Sequence, residues 1–257
     1  MMRALAWFYL ALMFGFIFLP VAVLVLFSFQ EGRLPVPPFN GPSLRWYADV
    51  LGDRRLMSGL TNSLIVASLS SAVALILGFL AAQGLARYRL PATALLRVAL
   101  IAPLTVSYLI IALGLLTFYN RVGIGLSLWT VGIGHVVINL PLCFAILYAS
   151  MGEHQRAAEQ AARDLGASEA RVMWLVTAPM MLPAILAAYF LAFTFSWDEF
   201  IIAYLLTRFD VTLPVEIWAL LRSGLTPRAN AIGSLVFLVS VGVVIVLQFI
   251  LIRRQRQ

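Results

Sequence analysis

Long runs of apolar residues, separated by shorter polar segments, occupy most of the chain. About 20 mostly apolar residues in a helix are enough to cross the hydrocarbon core of a bilayer. The runs that meet this criterion are Ala4–Phe29, Leu60–Ala86, Val98–Tyr119, Leu126–Ser150, Leu182–Leu206 and Ala229–Ile252. The pattern therefore predicts an all-α membrane protein with six transmembrane helices.

The polar segments predict two extramembrane regions with structure of their own. The first, Gln30–Met57, is rich in proline and includes one short predicted helix, Leu44–Leu51, which Ser43 is placed to cap. The second, about 151–175, is the long charge-dense loop of the second half. Prolines within or at the start of the apolar runs free backbone carbonyls that neighbouring helices or water must satisfy, which favours a bundle around a pathway. These prolines are Pro103, Pro141 and Pro183.

Composition supports membrane residence and one domain. The 257 residues are 62% hydrophobic and 11% charged, against about 45–50% and 25% in soluble domains. We expect a single transmembrane domain over residues 1–257. The only cysteine, Cys143, lies in an apolar run and is interpreted as a packing residue.

Charge placement predicts the orientation. The net charge is +7, and every basic residue is arginine. The arginines sit at the ends of apolar runs, which fits membrane orientation and argues against a nucleic-acid partner. Those on the side of the termini occupy short flanks, where the positive-inside rule is strongest. Both termini and the 151–175 loop are therefore expected in the cytoplasm.

Within this loop, residues 153–165 predict a helix of about 12–14 residues. Small apolar side chains recur at helical spacing, at Ala157, Ala158, Ala161, Ala162 and Leu165. Gly166 suits the left-handed position that ends a helix. A helix of this kind between two membrane spans can dock into a groove on another protein, or it can be a solvated connection.

The loop resembles the EAA loop of bacterial ABC importer permeases. That pattern is Glu-Ala-Ala, three residues, Gly, and apolar residues leading to Leu-Pro. Ala161, Ala162, Gly166 and Leu182–Pro183 match it, while Gln160 stands where the family has Glu and Glu159 lies beside it. Adjacent helical residues differ by about 100° in direction, so Glu159 does not replace that carboxylate.

The resemblance extends over residues 5–252 and reaches the second permease of spermidine/putrescine importers. The segments that carry it include Trp46–Tyr47, Asn62–Leu64, Ala86–Arg89, Ala162–Ser168, Ser196–Phe200, Thr212–Pro214, Ile217–Trp218 and Pro227–Ala231. It implies the type I permease bundle of ABC importers in a bacterial inner membrane. It also implies that Glu159, Gln160, Ala161, Ala162, Asp164 and Gly166 form the loop that couples the permease to its ATPase.

The resemblance further implies partners: a second homologous permease, two copies of a cytoplasmic ABC ATPase, and a periplasmic solute-binding protein. A Walker A motif needs lysine, and this chain has none. ATP and Mg are therefore expected on the partner ATPase, with no cofactor or metal on this chain and no enzymatic activity of its own.

Asp198 and Glu199 indicate the cargo. A charged side chain at mid-bilayer costs roughly 2.5–3.5 kcal/mol on insertion scales, so two adjacent carboxylates are not expected to face lipid. Beside Trp197 and Phe200 they suit a polyamine by charge pairing and cation–π contact. The alternative is a structural pair with an arginine such as Arg208.

Weaker candidates complete the predicted pathway. Thr105 and Tyr108 follow the Pro103 break and either line the path or pack. His135 and Asn139 lie one helical turn apart and are interpreted as hydrogen-bond partners between helices.

Other functions stay open at the level of the residues. The resemblance leaves three kinds of cargo open: a polyamine, an opine or another small amino compound. An ion-driven secondary transporter could use Asp198 and Glu199, but it leaves the EAA-like loop unexplained. An intramembrane enzyme lacks a catalytic constellation in the sequence.

Overall fold

The computed structural model describes residues 2–88, 91–224 and 226–255. The regular structure in these residues is helical, with one isolated antiparallel bridge between Gln30 and Pro42. The α-helices are α1 (Met2–Ser28), α2 (Arg45–Gly52), α3 (Arg54–Arg87), α4 (Thr93–Ile101), α5 (Tyr108–Val122), α6 (Leu128–Ser150), α7 (Glu153–Asp164), α8 (Glu169–Val172), α9 (Ala178–Met180), α10 (Leu182–Trp197), α11 (Ile201–Leu206), α12 (Leu213–Arg222) and α13 (Pro227–Gln255). A 3₁₀ turn, Ala102–Thr105, follows α4, and a π-helical segment, Met173–Thr177, follows α8.

Two of the predicted spans are broken. Helices α4 and α5 meet at a bend of 103°, and the segment Glu169–Met180 meets α10 at 76°. Among the described residues, three helices are long and apolar enough to cross a membrane: α1 from Leu5, α3 and α6. If each bent pair counts as one span, the number rises to as many as five. Pro103, one of the prolines expected to free backbone carbonyls, lies in the 3₁₀ turn at the first bend, and Pro183 lies at the start of α10 beside the second. Six spans are not confirmed.

Other predicted elements are confirmed. The short helix in the first loop is α2, although its N-cap is Leu44 and not the predicted Ser43. The Ser43 hydroxyl accepts a hydrogen bond from the Arg45 amide at 3.2 Å just before the helix. The loop helix is α7, twelve residues long. Two of the arginines expected to set the orientation, Arg89 and Arg256, lie outside the described residues.

The chain has two compact units, Met1–Leu60 with Leu213–Gly242 and Thr61–Thr212 with Val243–Gln257. A single domain over 1–257 stays a prediction. In the first unit, Gln30 is buried and organises the proline-rich loop. Its side-chain amide donates to the Pro38 carbonyl at 3.2 Å and accepts from the Asn40 amide at 3.0 Å. Asp53 also pairs with Arg228 there.

Helix α6 is at the centre of the second unit, where it packs against α4, α5, α10 and α11. Phe144 and Leu147 on α6 are fully buried, among small residues of α3 and α10 such as Ala74, Ala188 and Ala192. Lipid is as apolar as these side chains, so close packing rather than exclusion from water holds the helices together. Small residues permit this close approach.

Gly78 marks a close approach of α3 to α6. A Cβ added there would lie 2.9 Å from the Cys143 Cβ and 2.9 Å from the Phe144 backbone nitrogen. Real Cβ atoms do not come this close to backbone, so the two helices would have to separate.

We therefore expect Gly78→Ala to destabilise the protein by about 1–3 kcal/mol, the usual range for overpacking. The measurement is thermal unfolding of the purified protein in detergent. Gly84→Ala on the same helix is the matched control, since nothing lies within 4 Å of its added Cβ. Equal melting temperatures for the two variants would contradict the close helix contact.

Candidate functional site

Helix α7 is fixed at both ends by short-range hydrogen bonds. At its start, the Gln155 side chain accepts from the Gly152 amide at 2.6 Å and donates to the Ser150 carbonyl at 3.0 Å. At its end, Gly166 has a φ of +82°. The Gly166 amide donates to the Arg163 carbonyl at 2.8 Å, and the Ala167 amide donates to the Ala162 carbonyl at 3.0 Å. This pair of bonds is a Schellman motif, which confirms the predicted glycine stop.

The inner side of α7 carries a fully buried carboxylate, Glu159. Arg87, the last residue of α3, donates from Nε to Glu159 Oε2 at 2.7 Å and from Nη2 to Oε1 at 3.3 Å. The Thr177 hydroxyl donates to the same Oε1 at 2.9 Å. An unpaired buried charge costs several kcal/mol, so these partners are what permits the carboxylate to be buried.

The outer side of α7 carries three of the predicted coupling residues, Gln160, Ala161 and Asp164. Ala157, Gln160, Ala161, Asp164 and Leu165 are exposed, and Leu165 is 89% exposed. Ala158 and Ala162 are half-buried, so the small apolar residues do not form one continuous free face.

A second ion pair joins α7 to α8. The Arg163 guanidinium donates to both carboxylate oxygens of Glu169, at 2.7 and 3.1 Å. These hydrogen bonds raise the pKa of Arg163, so it stays charged. Ser168 stands at the N-cap position of α8, although its side chain makes no capping hydrogen bond.

The second candidate region is the interruption between α10 and α11. Helix α10 ends at Trp197 and α11 begins at Ile201. The buried Glu199 carboxylate accepts hydrogen bonds from the Ile202 amide, at 2.9 and 3.0 Å, and from the Ala203 amide at 3.2 Å. Glu199 therefore satisfies the amides that the interruption leaves without helical partners.

A buried polar chain leads from Glu199 to α3. His135 Nε2 lies 3.4 Å from Glu199 Oε2, and His135 Nδ1 lies 2.5 Å from Ser196 Oγ. Ser196 Oγ in turn lies 3.1 Å from Ser70 Oγ. The partner of Glu199 is thus His135 rather than Arg208, and His135 links helices as expected from the sequence.

The remaining predicted pathway residues are not alike. Asp198 is exposed, whereas Trp197 is buried and stacks on Phe193, with ring centroids 6.4 Å apart. Tyr108 is half-buried at the start of α5, within electrostatic reach of Glu199. Thr105 is exposed, and its hydroxyl donates to the Ala102 carbonyl at 2.8 Å.

Sequence reasoning missed four residues that build these two regions. Arg87 was interpreted only as a basic flank, and no expectation was attached to Ser70, Thr177 or Ser196. Single serines and threonines in apolar runs give little signal, because such residues commonly bond their own helix. The pairing of Arg87 had a usable signal in the sequence. A basic residue at the end of one span and an acidic residue in the loop helix are both expected near the same membrane surface, where they can form an ion pair.

A family model described as the binding-protein-dependent transport system inner membrane component matches residues 74–257. The chain belongs to this family. It is therefore a permease subunit of an ABC importer, and its relatives are transport permeases rather than enzymes. The family also explains the EAA-like loop, which an ion-driven transporter leaves unexplained.

Several curated permeases resemble the chain over most of its length. The putrescine transport system permease protein PotI of Escherichia coli is 32% identical, covering 96% of this chain and 91% of PotI. The spermidine/putrescine permease PotC of Haemophilus influenzae is 27% identical, with 94% of each chain covered. The sulfoquinovosyl glycerol permease SmoH of Agrobacterium fabrum is 31% identical, covering 76% of this chain and 72% of SmoH.

A solved structure shares the fold. A chain of a bacterial ABC transporter that imports the acidic polysaccharide alginate superposes with a TM-score of 0.69, covering 98% of this permease and 95% of that chain. The identity is 16%, so this likeness supports the permease fold alone.

The different roles of the two adjacent acids predict different effects on stability. Glu199→Gln replaces one accepting oxygen by a donor facing the Ile202 and Ala203 amides, so we expect a loss of about 1–3 kcal/mol. Asp198→Asn, at an exposed side chain, should change stability little. Thermal unfolding of the purified permease compares the two, and equal losses would contradict the capping role of Glu199.

Proposed function

We propose that this permease forms part of the transmembrane channel of an importer that carries a polyamine-like cationic solute from the periplasm to the cytoplasm. The complex contains a second homologous permease, two copies of a cytoplasmic ABC ATPase, and a periplasmic binding protein. ATP and Mg bind to the ATPase. Both termini and α7 face the cytoplasm.

The observation that carries the proposal is the two-sided construction of α7. Its inner side is tied to its own chain through Glu159, while Gln160, Asp164 and Leu165 are exposed. A leucine at 89% exposure on an otherwise fixed helix favours insertion into a groove on a partner. Family membership supports a cytoplasmic ABC ATPase as that partner.

A crosslinking experiment tests this docking. Leu165→Cys, in the reconstituted complex, should crosslink to a cysteine placed in the ATPase groove with a short bifunctional reagent. The native Cys143 is buried, so it does not compete. Ala162→Cys, half-buried on the same helix, is the matched control. Crosslinking at 162 but not at 165 would reverse the assignment of the outer side.

The cargo proposal rests on Asp198. Glu199 is already engaged by two backbone amides and by His135, so it has little capacity left for a ligand. Asp198 is exposed beside the same helix interruption, and its carboxylate is free to meet a cation. Helices that are interrupted within the membrane form solute sites in other transporters. At such an interruption, backbone amides and carbonyls that are not hydrogen-bonded within a helix can bind a solute or ion.

The names of PotI and PotC support a polyamine as the cation. SmoH, of similar identity, is named for a sulfoquinovosyl glycerol, so family membership alone does not determine the cargo. A carboxylate on the path is the additional feature that a cationic solute requires.

Asp198→Asn is expected to lower putrescine uptake by about tenfold at saturating binding protein, which corresponds to the loss of about 1.4 kcal/mol of attraction. Uptake of radiolabelled putrescine and of other amino compounds into proteoliposomes provides the measurement. Asp210→Asn, at another exposed carboxylate, is the control. If Asp198→Asn keeps putrescine uptake but loses uptake of another amino compound, that compound is the cargo. If Asp198→Asn takes up every compound at the wild-type rate, Asp198 is not on the solute path.

A further inference from the structure

The Glu159 carboxylate belongs to α7, but its partners belong to other elements. Arg87 is the last residue of the 34-residue helix α3, and Thr177 ends the π-helical segment. The side chains of Arg87 and Glu159 are 8% and 0% exposed. Three separate elements therefore meet at one carboxylate beneath the proposed docking side.

We propose that the buried ion pair between Arg87 and Glu159 is the mechanical link through which a displacement of α7 moves α3 during transport. The inference rests on the proposed docking of α7 to the ATPase. Both residues are positioning residues, because they touch neither the solute nor ATP.

The geometry of the pair supports a rigid link. Two hydrogen bonds, at 2.7 and 3.3 Å, hold the guanidinium and carboxylate in one relative orientation. Because the pair is shielded from water, it is screened little and does not exchange readily with solvent. A force on α7 therefore reaches the end of α3 directly.

Helix α7 packs against α8 and the π-helical segment, and the long Arg87 side chain joins α3 to its buried side. Arg163 also lies 4.0 Å from Glu159, but it is engaged with Glu169 at 2.7 Å. Thr177 steadies the carboxylate from the third side.

A purely stabilising role makes a different prediction from a transmitting role. Loss of a stabilising pair reduces the amount of folded complex, while each assembled complex transports normally. Loss of a transmitting pair leaves assembled complexes that hydrolyse ATP but move fewer solute molecules per ATP. The ratio of solute transported to ATP hydrolysed separates the two.

The experiment uses the reconstituted complex with putrescine and its binding protein. The double variant Arg87→Gln with Glu159→Gln removes both charges together, so no unpaired charge stays buried. We expect the ATPase to copurify and hydrolyse ATP, with the transport ratio reduced at least about fivefold. The control is Glu153→Gln with Arg156→Gln, an exposed pair on the same helix, which should keep the wild-type ratio.

A second variant covers the case in which the double variant fails to assemble. Arg87→Lys keeps the charge but loses the two-pronged hydrogen bonding, so assembly is retained and the ratio should fall partially. A wild-type ratio in either assembled variant would overturn the proposal. Crosslinking of Leu165→Cys to the ATPase, measured in the Arg87 and Glu159 variants, shows whether α7 still docks when the transport ratio changes. If Leu165→Cys gives no crosslink even when Arg87 and Glu159 are unchanged, the proposed docking, and with it the proposed function, is refuted.

Discussion

Backbone amides that leave a helix inside a membrane find no water, so the protein itself must satisfy them. This constraint determines the structure around residues 198–200. The interruption between α10 and α11 exposes the amides of Ile202 and Ala203, and the Glu199 carboxylate accepts from both. Without this acceptor, the two buried amides would have no hydrogen-bond partner, at a cost of about 1–3 kcal/mol each. The polar chain through His135 and Ser196 holds the acceptor in place.

Adjacent polar residues divide their work in the same way at both candidate regions. Glu199 is buried and supports the backbone, while Asp198 is exposed. Glu159 is buried and anchors α7, while Gln160 is exposed. Within α7, neighbouring residues point about 100° apart, so one member faces the protein and the other is exposed. Gln160, which stands where the family pattern has Glu, therefore lies on the exposed side of α7, and the buried anchor Glu159 is unaffected.

The parts of the fold that depend on local pattern were predictable. Helices α3, α6 and α7 follow from apolar runs, helical spacing and the Gly166 stop. The breaks between α4 and α5 and between α10 and α11 were not predictable from hydropathy, because hydropathy is continuous through the third and fifth apolar runs. Pro103 and the acidic pair at 198–199 were the available signs of them. Six spans remain a prediction, since three to five are supported.

In the candidate sites, too, the local features were predictable from the sequence and the contacts between distant residues were not. The existence of α7 was visible in residues 153–166, but the direction of its faces was not. That direction depends on Arg87 and Thr177, which lie 72 and 18 residues away from Glu159 in sequence. Likewise, two adjacent acids in an apolar run stood out in the sequence, whereas the different environments of Asp198 and Glu199 depend on residues of other elements such as His135.

The end bonds of α7 and its buried carboxylate have a consequence for assembly. A short helix of twelve residues is marginal in water on its own. Here the Gln155 bonds, the Schellman motif at Gly166 and the Arg87 contact already order it within the single chain. The conformational entropy of forming the helix is thus lost during folding of the permease, before any ATPase arrives. Association then orders little further backbone, which leaves more of the contact energy available for affinity.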